Sequence, residues 1–274
     1  MSEIEINVEN VQAETSEGHS GVHVPALKPE TLFNIGPITV SNAMFSGFIV
    51  TILICILIAY VKKHIRLVPT RVQVVAEAVV NMFYEPLIDA YHDRALAKKH
   101  AAIITSFFIL IIVSNLLPAL PIIPSLRWGH EVEVARPVTS HYSFTLALAM
   151  ISLVIAHILG LAHHGWGHVG KFFKFAELFK IKKIMDLPNV LIEIFVGILE
   201  VFGEFSKIIS LASRLFGNLL AHEAIMAVIF GISVYTQFLA PIPFYLLGFL
   251  VAFIQATVFS LLSMTILISH VKGH

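Results

Sequence analysis

Cysteine is almost absent: Cys55 is the single one in 274 residues and lies inside an apolar run, so neither a disulfide framework nor a cysteine metal cluster is possible. Charge is scarce as well. Asp, Glu, Lys and Arg make up 13% of the chain against 57% hydrophobic residues, with a mean hydropathy of +0.85. Those proportions exclude a water-soluble domain and define a polytopic membrane protein. An internal repeat is also missing, which argues against a self-contained transporter built from two related halves. The N-terminus lacks the basic n-region of a cleavable signal peptide. The formal net charge of +0 conceals a strong segregation of charge along the chain.

What is present is a succession of apolar runs. Residues 1–43 form an acidic extramembrane arm with Glu3, Glu5, Glu9, Glu14, Glu17 and Glu30 against Lys28 alone. Disorder is expected there, with order beginning near 25–40. The membrane domain then occupies 44–274 and reads as all-α. Residues 44–61 are a first span, ending in Lys62, Lys63, His64 and Arg66 as a basic anchor. Residues 70–97 mix Val72, Val75, Val79, Met82, Phe83, Leu87 and Ile88 with Arg71, Glu77, Glu85 and Asp89, which suits an amphipathic helix lying in the interface. Further helices are expected over 101–120, 143–162, 187–230 and 244–270. The pattern is thus about five membrane-embedded helices plus one interfacial helix.

The third span carries one ionisable residue, His157, read here as a packed core histidine. The loop after it holds His163, His164 and His168; a metal shared by His164 and His168 would need a helix that Gly165 and Gly167 break. Neither a metal nor another cofactor is expected. The 44 residues of 187–230 would make a helix of roughly 66 Å, about twice the hydrocarbon thickness, so a steep tilt is required. In the last helix Gly248, Ala252 and Ala256 recur every fourth residue as a close-packing face, bordered by Gln255.

One stripe sets the functional reading. Glu200, Glu204, Lys207, Arg214, Asn218 and His222 are spaced by four, three, seven, four and four residues, which places them on one face of a helix interrupted by Leu211 alone. An arginine cannot shed its charge, and a charge at the bilayer centre costs about 2.5 to 3.5 kcal/mol even on the lenient insertion scale. Arg214 therefore reads as a fixed cation facing a wet cavity or a partner's acid. The bland alternatives are snorkelling to the headgroups or a quiet pair with Glu204 or Glu223. Apolar residues on both sides of Arg214 weigh against the first.

Lys and Arg fall as seven over 62–99, five over 171–183 and Lys272, against Lys28, Arg127 and Arg136 on the other side. The positive-inside rule then places the N-terminus outside and the C-terminus in the cytoplasm. Glu200 lies toward the cytoplasm and Glu223 toward the exterior, about 21 Å and 13 Å from Arg214 along the helix. Two polar approaches separated by a permanent cation form the pattern of two offset proton paths.

At Ser213-Arg214-Leu215-Phe216-Gly217-Asn218 the sequence resembles subunit a of the F-type ATP synthase, the membrane stator facing the rotating c-ring. Glu200, Glu223 and Gln255 stand at matching offsets. Val68-Pro69-Thr70 with Glu77, Ser114-Asn115-Leu116-Leu117-Pro118 and Phe144-Thr145-Leu146-Ala147 extend the similarity over most of the membrane part. The resemblance implies that Arg214 is the essential arginine, that Asn218, His222, Glu223 and Gln255 line an outer half-channel, and that Glu200 and Ser210 belong to an inner one. Implied partners are the c-ring, beside which the last two helices tilt, the b subunits of the peripheral stalk and the lipid bilayer, with no nucleic acid and no substrate beyond protons or sodium ions. The implied location is an energy-coupling membrane such as the bacterial inner membrane, and the chain is not expected to be catalytic alone. Two departures stand out: Pro137-Val138-Thr139-Ser140-His141 lacks the acid many relatives place there, and Gly248 stands where some carry a titratable group that His222 would replace. The remaining alternatives are a self-contained ion channel or transporter and a histidine-metal membrane enzyme.

Overall fold

The computed structural model describes residues 31–35, 38–119, 127–128, 132–133, 137–165, 187–232 and 240–272. Six helices carry it: α1 (Asn42–Lys63), α2 (Arg71–Tyr91), α3 (Arg94–Ala119), α4 (Tyr142–His164), α5 (Leu187–Ile232) and α6 (Pro241–Lys272). Two short antiparallel pairs stand outside them, β1 (Thr31–Ile35) with β2 (Ile38–Ser41) and β3 (Arg127–Trp128) with β4 (Val132–Glu133). Residues 1–30 of the acidic arm, His168 and most of the basic loop before α5 lie outside the described residues.

Among the described residues four helices are long and apolar enough to cross a membrane: α1, α3, α4 and α6. α1 keeps Met44, Phe48, Ile52 and Ile56 exposed as a lipid-facing surface and turns Ser46 and Val50 inward. Its terminal Lys62 and Lys63 complement the negative end of the helix dipole. α5 is the longest helix, 46 residues or about 69 Å. Its Pro188 falls in the first turn, where a missing N–H breaks no helical bond.

The amphipathic segment expected over 70–97 is shorter and is followed directly by a second helix. Thr70 caps α2 by accepting a hydrogen bond from the Gln73 N–H at 3.4 Å. Gln73 also closes the preceding connection: its Oε1 accepts from the Arg66 N–H at 3.0 Å, and its Nε2 donates to the Arg66 carbonyl at 3.2 Å and to Glu77 Oε1 at 2.8 Å. α2 stops at Tyr91 because His92 adopts a left-handed backbone, φ 54°. Asp93 then restarts the chain, its Oδ1 accepting from the N–H groups of Ala95 (2.8 Å) and Leu96 (3.3 Å). Arg94 therefore belongs to the start of α3 rather than to the end of the interfacial helix.

α6 is the hub, packing on α3, α4 and α5 and also reaching α2. Its small residues Gly248, Ala252 and Ala256 are all buried, which lets the neighbouring helices approach closely. Phe83 and Leu87 of α2, Ile104 and Ile111 of α3, Leu215 of α5 and Phe259 of α6 are the large side chains sealed in the centre.

Candidate functional site

The polar stripe on α5 divides in space according to what each residue faces. Leu211, the apolar interruption, is buried in the core with Ala212 and Leu215. Arg214 is exposed, and so are Ser210, Ser213, Gly217, Asn218 and Ala221 around it. A Cβ built at Gly217 would meet nothing within 4 Å. Arg214 thus stands in a row of small residues on an open face of α5, where another helix could come within van der Waals reach of the backbone. Among the described residues Glu204 is ion-paired with Lys207 and has the His270 ring 3.7 Å away, and Arg214 makes no ion pair.

Immediately after Arg214 the stripe turns toward α6. The Asn218 Nδ2 donates to Gln255 Oε1 at 2.6 Å, and Gln255 is 4% exposed. One turn on, the His222 ring lies over Gly248: a Cβ at 248 would come within 2.7 Å of its Cε1 and 2.8 Å of its Nε2. His222 therefore fills the space that a side chain at 248 would occupy. Glu223 beside it is half-buried, as is Glu200 at the opposite end of the stripe. The structure so joins Asn218, Gln255 and His222 into one α5–α6 seam. Glu200 and Ser210 lie on the other side of Arg214, apart from that seam.

The other end of the stripe holds a grouping that spacing along the chain does not reveal. Glu204 Oε1 is 2.7 Å from Lys207 Nζ and 3.7 Å from His270 Nε2. His270 meets His157 of α4 edge-on, ring centroids 4.5 Å apart. His157 is therefore not a solitary core histidine. Its partners come from two other helices, so the available signals were three isolated titratable residues in apolar runs.

Elsewhere the described part of the histidine loop begins as its glycine implies: α4 ends at His164, and Gly165 takes φ 57°. His164 Nε2 bonds the Val271 carbonyl at 2.8 Å. At the position where an acid is missing, Thr139 donates to Asn115 Oδ1, and Val138, Thr139, Ser140 and His141 are all buried. In the interfacial helix, burial pushes the Tyr91 hydroxyl up to about 12, which keeps it protonated beside His100 Nδ1 at 3.0 Å.

These features define a class, a polytopic helical membrane protein whose longest helix sets an exposed arginine between two partly buried polar groupings. The ATP synthase A chain family model matches residues 44–267. The subunit a of ATP synthase from Citrifermentans bemidjiense is 29% identical over 82% of this chain and 85% of its own length. That of Geotalea uraniireducens is 30% identical over the same shares, and that of Moorella thermoacetica is 28% identical over 90% of this chain and 99% of its own. The chain belongs to the ATP synthase A chain family. It is accordingly a multi-pass, ion-translocating membrane-sector subunit and is not catalytic alone.

Proposed function

We propose that this chain moves protons to and from a ring of carboxylate-bearing c subunits through two offset half-channels, with Arg214 as the barrier between them. The observation that carries the reading is the position of Arg214: exposed, without an ion pair among the described residues, and flanked by Ser210, Ser213, Gly217 and Ala221 on an open helix face. A ring helix can approach such a face closely enough for its acid to meet the guanidinium. Two unit charges 4 Å apart attract by about 4 kcal/mol at an effective dielectric of 20, and a neighbouring arginine lowers a carboxylate pKa by about 1 to 3 units. An incoming ring acid is thereby stripped of its proton. The same charge repels a hydronium leaking directly between the two paths.

The outer path uses Asn218, Gln255, His222 and Glu223; the inner one uses Glu200 and Ser210. Their support is the α5–α6 seam on one side of Arg214 and the half-buried Glu200 on the other. The distribution of Lys and Arg puts the N-terminus outside and the C-terminus in the cytoplasm. The membrane is an energy-coupling one, the bacterial inner membrane, and the remaining fixed partners are the b subunits of the peripheral stalk. Each proton brings about 2.3 kcal/mol per 100 mV of membrane potential.

Arg214→Ala should abolish proton-driven ATP synthesis in membrane vesicles while the assembled complex remains isolable. Arg214→Lys should fail too, because a lysine can lose its proton in an apolar setting. Normal synthesis in either variant would sink the proposal.

A further inference from the structure

The grouping at the Glu204 end of α5 is made of side chains that hold transition metals. His157 of α4, Glu204 of α5 and His270 of α6 each offer one ligand atom, and these atoms lie within 4.8 Å of one another. Two imidazoles and a carboxylate are a zinc donor set, with a fourth position left for water. Imidazole donors favour zinc, copper or nickel over magnesium or calcium.

Three further features fit a cation there. The His270 Nδ1 is 2.8 Å from the Ile266 carbonyl, which can only accept, so Nδ1 carries the proton. Its Nε2 is then directed at Glu204, the arrangement by which metal-bound histidines are held in one tautomer. Glu204 Oε2 is buried with no hydrogen-bond partner, a state that a bound cation would relieve. The geometry is also near closure. Ligands on a tetrahedral zinc stand roughly 3.4 Å apart, against 3.7 Å from His270 Nε2 to Glu204 Oε1, and the widest pair would close by no more than about 1.4 Å.

Lys207 is the competitor, its Nζ 2.7 Å from Glu204 Oε1. Its side chain is 43% exposed against 13% for Glu204, so the ammonium can swing into solvent when a divalent ion arrives. We infer that His157, Glu204 and His270 form a binding site for a divalent transition-metal ion, zinc above all, that ties α4, α5 and α6 together. The inference does not depend on the proton-path roles given to other residues.

The test uses the intact ATP synthase complex, stripped with chelator, titrated with Zn2+ and freed of excess by gel filtration. Bound zinc should exceed that of the His157→Gln and His270→Gln complexes by one ion per copy of this chain, with affinity in the variants down at least about tenfold. Lys207→Gln should raise the affinity, since it removes the competing cation. X-ray absorption of the Co2+-loaded wild type should show imidazole scattering. Equal zinc in wild type and both variants overturns the site. If the histidine variants do not assemble, the wild-type cobalt spectrum decides alone, and a cobalt shell without imidazole overturns the inference.

Discussion

Gly248 and His222 make one joint choice about where a ring goes. The ring on α5 occupies the volume that any side chain at position 248 of α6 would need, with contacts of 2.7 and 2.8 Å to a hypothetical Cβ. Gly248→Val should therefore destabilise the complex by about 1 to 3 kcal/mol through overpacking, read as a lower melting temperature in detergent. His222→Ala should recover most of that loss in the double variant, because residues in contact are non-additive; additive losses would show that the two side chains do not share this space. His222→Ala alone should slow proton flux in vesicles. Unchanged flux would reduce His222 to packing. Little of this pairing was legible in the chain: spacing placed His222 on the stripe, yet its partner is 26 positions away on another helix and has no side chain to announce itself. The same holds for His157, whose apolar surroundings suggest an ordinary core residue until His270 is brought against it.

Helices α2 and α3 owe their separation to local chemistry. His92 in the left-handed region and Asp93 as the next cap divide what periodicity alone runs together, because apolar spacing continues across the junction while the backbone does not. Asp93→Ala should cost about 1 kcal/mol, the usual worth of an N-cap, and Asp93→Ser should retain most of the stability in the same thermal melt. Gln73→Ala removes two hydrogen bonds between α2 and the connection from α1, both to the Arg66 backbone. Faster protease cleavage within 64–70 is the expected sign; cleavage at the wild-type rate would mean that Gln73 does not hold this connection. The long apolar helices were readable because lipid demands unbroken apolar runs. Their mutual register was not, since an apolar surface fits several neighbours about equally well.

The whole molecule presents a lipid-facing α1 and an open Arg214 face, so its orientation in the membrane can be read chemically. Cys55 is exposed in the apolar surface of α1 and should resist a membrane-impermeant maleimide. In vesicles of known sidedness, Lys272→Cys should label from the cytoplasmic side and Ser20→Cys from the opposite side; the reverse result would invert both half-channel assignments. The contacts along α5 and α6 have a mechanical meaning as well. Among the contacts that hold this antiparallel pair are Glu204 beside His270, Asn218 against Gln255, and His222 over Gly248. A greasy seam yields to shear, because dispersion contacts re-form when one helix slips a turn, about 5.4 Å, past its neighbour. Polar and steric pins do not re-form after such a slip. A tangential push on the Arg214 face is thus carried by the pair as one stiff beam, and the load passes into the bundle instead of being lost as sliding between its members.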